Sequence, residues 1–140
     1  MKIALVAVGK TDSSEVKSLI TEYSSRVLHY TDFEFVEVSE DKLEKALGKY
    51  DRVCLLEEIG KPMTSTEFSG FINNQLSQGI KSLAFVVGGP FGFTPEIKAL
   101  ADSNLALSRM TFPHDLARVI FLEQLYRAFT ILRNEKYHHE

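Results

Sequence analysis

"FVVGGPFGFTPEI", residues 85–97, decides how this chain is read. Three residues suited to a buried strand run into Gly-Gly-Pro, a further glycine follows, and Thr94-Pro95 then opens a helix. Thr94 suits the N-cap and Pro95 the first helical turn, where its missing N–H costs nothing. A strand that ends in a bare backbone loop and restarts as a helix is an α/β junction. Such a loop lets a ligand approach the main chain, or it is only a tight turn. The residues of the stretch leave both readings open.

The same alternation extends in both directions. "KIALVAV" (Lys2–Val8) is a continuous apolar run, as in a strand covered on both faces. Val16, Leu19, Ile20, Tyr23 and Val27 recur at helical spacing between Ser14 and His29. A second strand is expected over Phe33–Val38, a short helix stopped near Gly48, and a third strand over Arg52–Glu57. Gly60-Lys61-Pro62 reads as a turn. A helix capped by Thr64 or Ser65 follows and closes at Gly79. The fourth strand starts at Ser82, the helix after the opening stretch reaches about Asp102, and Asn104–Ser108 forms a fifth strand. A loop from Arg109 to His114 leads into a long helix from Asp115 to about Arg133. The expected fold is α/β, a mostly parallel sheet with helices on both faces, in one domain over residues 1–140. Ligands of such sheets bind beyond the carboxyl ends of the strands. The loops Glu57–Thr64, Gly88–Thr94 and Ser108–His114 are therefore candidates to share one pocket.

Composition narrows the class. The chain has 140 residues, 44% hydrophobic and 25% charged, the mix of a globular protein. No apolar run approaches the roughly 20 residues of a membrane span, and "MKIALVAVG" lacks the cleavage site of a signal peptide. A cytoplasmic location is expected. Cys54 is the single cysteine, so no internal disulfide forms, and its apolar surroundings read as core. The net charge of −3 argues against a dedicated nucleic-acid binder. Residues 109–140 nevertheless carry 5 basic and 4 acidic groups plus three histidines, so a polyanion would meet the C-terminal part. The last helix is apolar around well over half its circumference, which predicts burial on two sides and a homodimer built around it.

Several chemistries are disfavoured. Gly88, Gly89 and Gly92 match neither G-x-G-x-x-G nor a P-loop, and Pro90 removes an N–H that a phosphate would use. His138 and His139 are adjacent and point apart, so no metal-ligand spacing exists. No G-x-S-x-G elbow is present. Glu57-Glu58 reads as two solvated carboxylates. What remains is three loops whose main chain could read an adenine edge, with Leu56, Met110 and Phe112 against its faces.

Together, "LVAVGK", "GKPMTS", "FVVGGPFGFTPEI", "LALSRMTFPHDLARVIFLEQLYRA" and the terminal "YHHE" resemble the bacterial ribosomal large subunit methyltransferase H family of the SPOUT superfamily. The resemblance spans the chain and is densest from Ser82 onward. It implies a C-terminal part threaded as a trefoil knot and a homodimer. It implies S-adenosylmethionine-dependent methylation of N3 of a pseudouridine in large-subunit (23S) rRNA, on the assembled ribosome; the residue spacing adds the expectation of no metal. Carried over by motif, the cofactor positions are Leu56, Gly89 and Ser108, Arg109, Met110, Thr111, Phe112 and Pro113. A side chain at Gly89 is expected to intrude on the cofactor. His138 or Tyr137 is expected to assist loss of the acceptor proton. Arg109, Arg118, Arg133 and Lys136 are candidate phosphate contacts, and Arg127 either pairs across the subunits or faces RNA. His139 stands where relatives often carry a cation, and Phe91 where they are often polar. The competing expectations are a non-catalytic dimeric RNA-binding module and a methyltransferase of this fold acting on another RNA position.

Overall fold

A computed structural model describes residues 1–139. Five strands, β1 (Lys2–Val8), β2 (Asp32–Val38), β3 (Arg52–Pro62), β4 (Ser82–Val87) and β5 (Ser103–Ala106), form one sheet in the order β2-β1-β4-β3-β5. Every pairing is parallel. The five α-helices are α1 (Ser14–Leu28), α2 (Leu43–Leu47), α3 (Ser65–Ser77), α4 (Pro95–Leu100) and α5 (His114–Leu132), with a 3-10 turn at Glu40–Lys42 before α2.

The two-residue period of the strands sorts the core into two layers. Ile3 and Leu5 of β1, Leu83, Phe85 and Val87 of β4, and Cys54 and Leu56 of β3 face α1, α3 and α5. Ala4, Val6, Ala84, Val86, Val53 and Leu55 face α2 and α4 on the other side. The central strands are buried on both faces, which is why their sequences run apolar without alternation. Caps set the helix starts. The Thr64 hydroxyl accepts from the Glu67 amide while the Glu67 carboxylate accepts from the Thr64 amide, a reciprocal capping box. Thr94 accepts from the Ile97 amide, with Pro95 in the first turn of α4.

One expectation is corrected. Gly60-Lys61-Pro62 is not a turn. β3 runs on through it, and both Leu56 and Lys61 pair with Leu105 of β5. The residues between them bulge out of the ladder. At the base of this bulge a Cβ on Gly60 would lie 2.7 Å from the main chain of Leu105, so only glycine fits there. Helix α5 gains much of its expected burial inside the chain. Its apolar girth is covered largely within the chain, by the sheet beneath it and by α1 and α3 on its flanks. A second subunit is not needed to explain most of it. Leu116 and Leu132 stay exposed, and Val119, Ile120 and Tyr126 are only partly buried.

Candidate cofactor pocket

The loops after β3, β4 and β5 close around one cavity of about 580 Å³ at the carboxyl edge of the sheet. The β3 bulge contributes Glu57, Glu58 and Ile59 to one wall. The loop after β4 contributes Gly88 to Phe93, folded as a tight turn in which the Gly92 amide donates to the Gly89 carbonyl at 3.1 Å. Gly92 takes a φ of +73°, the left-handed region open to glycine. The turn lifts Phe91 wholly into solvent at the cavity rim. The opening stretch is thus both a structural turn and a pocket wall.

Of the eight positions carried over as cofactor contacts, Leu56, Gly89, Ser108, Met110, Thr111, Phe112 and Pro113 line this cavity. Arg109 does not; it is exposed beside it. His114, at the end of the loop expected to share the pocket, lines it, and the sequence reading missed two further groups, Lys98 and Ala117. Lys98 reaches it from α4, and His114 and Ala117 from the first turn of α5. Glu57, read as solvated, is half-buried, and its Oε2 is buried without a hydrogen-bond partner. No periodicity could reveal this, because the bulge that turns Glu57 inward is created by pairing with β5.

Gly89 differs from expectation in one respect. A Cβ there would point at Val8 Cγ1 (3.5 Å) and Glu40 Oε2 (3.7 Å), at ordinary contact distance and away from the cavity. The main chain of Gly89, not the absence of its side chain, faces the pocket. Gly88 is the tighter position, where a Cβ would come within 3.1 Å of the Phe93 ring.

The first turn of α5 is fastened to the rest of the sheet edge. Arg118 is fully buried. Its Nη2 donates to the carbonyls of Val8 (2.9 Å) and Gly9 (3.0 Å), and its Nη1 to Thr11 Oγ1 (2.7 Å) and Glu37 Oε2 (3.3 Å). Arg118 is therefore no phosphate contact: its cation is committed inside the chain. Burial alone would raise the pKa of Glu37, but the Thr11 hydroxyl and amide and the Arg118 cation outweigh it and hold the carboxyl low. Asp115 accepts from the amides of Ser13 and Asp12 at 3.0 Å, and these bonds hold its carboxyl low as well. Asp12, His114 and Asp115 come close enough to suggest a metal site. Asp115 Oδ2 already accepts from two amides, His114 Nδ1 lies 3.1 Å from Asp115 Oδ1 without a hydrogen bond between them, and the Arg118 cation acts on both aspartates.

The C-terminal tail folds back on α5. Glu123 accepts from Arg127 Nη2 (2.6 Å) and Nε (3.3 Å) and from the Tyr137 hydroxyl (2.9 Å), and Arg127 Nη1 lies 3.0 Å from His138 Nδ1. Arg127 therefore has its ionic partner in its own helix. Burial and the Glu123 carboxylate push the Tyr137 phenol well up. Of the remaining basic candidates, Arg133 lies over the Tyr30 ring at 5.0 Å, and Arg109, Lys136 and His139 are exposed. Cys54 is buried in the core, with its thiol raised by burial to about 11. Among the described residues no helix is long and apolar enough to cross a membrane.

An all-parallel sheet with its cavity built from the last three strand-end loops is the architecture of a SPOUT-type α/β methyltransferase. A structure of a probable methylase family protein from Haemophilus influenzae superposes with a TM-score of 0.65 over 99% of this chain and 70% of its own, at 13% identity, a likeness of fold. The family described as "Predicted SPOUT methyltransferase" matches residues 1–138. The ribosomal RNA large subunit methyltransferase H of Christiangramia forsetii is 45% identical, covering 99% of both chains, and that of Parabacteroides distasonis 41% identical, covering 100% of both. This chain belongs to the ribosomal RNA large subunit methyltransferase H family of SPOUT methyltransferases.

Proposed function

We propose that this protein transfers a methyl group from S-adenosylmethionine to N3 of a pseudouridine in 23S rRNA, on the assembled ribosome in the cytoplasm. The observation that carries the reading is the convergence of three strand-end loops on one cavity. The cavity suits an adenosine: apolar faces from Leu56, Leu107, Met110 and Phe112, and main chain at Gly88 and Gly89 without side chains between. The buried, unpartnered Oε2 of Glu57 fits a hydroxyl or ammonium donor of the same molecule. Residues 1–140 act in this reading as one SPOUT domain, with the stretch from β4 onward threaded as the family's knot.

Bound there, S-adenosylmethionine supplies an electrophilic methyl: the acceptor nitrogen forms the new N–C bond, the S–C electron pair stays on sulfur as S-adenosylhomocysteine, and the nitrogen's proton leaves to solvent. The chain's own contribution is position and exclusion of water. The 108–113 loop walls the cavity with Met110, Phe112 and Pro113, the β3 bulge adds Ile59 beside two carboxylates, and α5 holds that loop's end through Asp115 and Arg118.

Tyr137 and His138, the residues proposed to act at the acceptor base, are not at this cavity in the same chain. Arg127, which holds them, lies ten residues beyond the cavity-lining Ala117, about 15 Å along the helix. A homodimer resolves this. Leu116, Val119, Ile120, Glu123 and Arg127 fall on one strip of α5, apolar at the pocket end and charged at the tail end. Two copies packed across a two-fold axis on that strip bring the tail of one to the pocket of the other. Exposed Arg109, Arg133, Lys136 and His139 then supply phosphate contacts that position rather than specify. Nucleoside mass spectrometry of 23S rRNA after incubation of unmethylated ribosomes with protein and cofactor is the test. One N3-methylated pseudouridine is expected. A methyl on another nucleotide, or none, overturns the reading. A monomeric mass at micromolar concentration overturns the dimer.

A further inference from the structure

We propose that Phe91 is a substrate-contact residue: its ring stacks on a face of the base that receives the methyl group, at the mouth of the cofactor cavity. The proposal rests on the methyl-transfer reading above and deepens it.

Among the described residues the three most exposed large apolar side chains are Phe91 at 100%, Ile59 at 78% and Met110 at 75%; the next, Leu28, is at 53%. All three line the one cavity, and each stands on a different one of its three loops. Apolar residues scattered singly over a surface need no explanation, but three around one opening do. The backbone of Phe91 is also held in place. Pro90 takes the second position and Phe91 the third of a β-turn, closed by the Gly92 amide donating to the Gly89 carbonyl at 3.1 Å. The fixed φ of proline and the closed turn leave this segment little freedom to lose when something lies on the ring.

The reaction geometry says what meets this rim. The lone pair that N3 uses lies in the plane of the pyrimidine ring, and the displacement at the methyl carbon is in line. The base therefore enters edge first and turns its two faces toward the sides of the mouth. Bases held out of the RNA stack are commonly covered by aromatic side chains. Arg109, exposed next to Met110, puts a cation at the same rim, whereas the β3 bulge carries Glu57 and Glu58. The phosphates of the held nucleotide therefore belong on the Arg109 side. A second copy of the chain is the poorer occupant. Three side chains around an opening fall short of the roughly 800 Å² per partner of a stable protein interface, yet suffice to cover one base.

Photocrosslinking tests the contact directly. Full-length protein with Phe91 replaced by the photoreactive p-benzoylphenylalanine is irradiated with unmethylated ribosomes and S-adenosylmethionine. An adduct to 23S rRNA at a pseudouridine or its immediate neighbour is expected, mapped by reverse-transcription stops. An adduct to a second copy of the chain, to a ribosomal protein or to rRNA elsewhere overturns the proposal. In kinetics, Phe91→Ala should lower kcat/KM for ribosomes roughly tenfold, the worth of one stacked base, with calorimetric S-adenosylmethionine affinity and solution mass unchanged. Phe91→Tyr and Phe91→Trp keep a ring face and should stay within roughly threefold of wild type. Phe91→Leu keeps an apolar side chain without a ring face and should fall with the alanine protein. An alanine or leucine protein as active as wild type overturns the stacking role. So does a loss matched by an equal loss of S-adenosylmethionine affinity, which would mean that the rim closes on the cofactor instead. An adduct at a pseudouridine from a protein that methylates nothing leaves the base contact standing and sinks the methyl-transfer reading; N3 methylation without any rRNA adduct does the reverse.

Discussion

Arg118 of α5 and Glu37 of β2, 81 residues apart, meet across the carboxyl edge of the sheet with Nη1 3.3 Å from Oε2. The same guanidinium holds the carbonyls of Val8, the last residue of β1, and of Gly9 beyond it. One side chain thereby locks the helix that borders the pocket to two strands that do not reach it. Replacing Arg118 by methionine keeps much of the volume but strands Glu37 and two carbonyls. A loss of about 3 kcal/mol is expected, read as a lower urea midpoint with unchanged slope. A midpoint within experimental error of wild type contradicts the role.

The same lock predicts a pH dependence. Glu37 and Asp115 both have carboxyls held below their ordinary range in the folded chain. For a depressed folded pKa, the unfolded state binds protons first as pH falls. The stabilisation is therefore complete above the unfolded carboxylate range, about pH 4, and lost as pH falls through the lower folded values. Urea midpoints should be flat from pH 7 to about pH 5 and fall below it. In a Glu37→Gln protein the acid slope should be shallower.

Gly60 and Gly89 should respond in opposite ways to alanine. At Gly60 the new methyl meets backbone at 2.7 Å, which cannot swing aside. Gly60→Ala should cost at least about 2 kcal/mol and weaken cofactor binding by shifting the bulge. At Gly89 the nearest atoms, at 3.5 Å and 3.7 Å, are side-chain tips outside the cavity. Gly89→Ala should fold and bind S-adenosylmethionine within roughly threefold of wild type, since such contacts are ordinary packing. Calorimetry on both proteins separates the outcomes.

Glu57 lines the cavity and carries a buried oxygen without a hydrogen-bond partner. Glu57→Gln keeps the shape and removes the charge. S-adenosylmethionine affinity should fall roughly tenfold, the loss expected for one charge-assisted hydrogen bond, with thermal stability unchanged or raised. Equal affinity in the two proteins would show that Glu57 faces water when the cofactor is bound.

How much of this was legible beforehand depends on distance along the chain. The central strands were readable because burial on both faces leaves an unbroken apolar run. The starts of α3 and α4 were readable because Thr64 and Thr94 act on amides three residues ahead. The three loops were readable as neighbours, since parallel strands put their carboxyl ends on one edge. The β3 bulge was not, because Lys61 is a strand residue only through Leu105. Arg118 looked like a surface cation on an apolar helix, and nothing local distinguishes a guanidinium bound for phosphate from one bound for a carboxylate 81 residues away.

By itself, then, the sequence determined the alternation of strands and helices, the edge on which a ligand must sit, and, through its motifs, the family. These rest on short-range periodicity, caps and residue identity, all written within a few positions of one another. Only the tertiary structure decided which way Glu57 and Gly89 face, that Arg118 is a buried clamp, and that Glu123 gathers Arg127 and Tyr137 while Arg127 holds His138. Those depend on which surfaces meet when the strands are brought into register, and that packing is settled by the whole core at once.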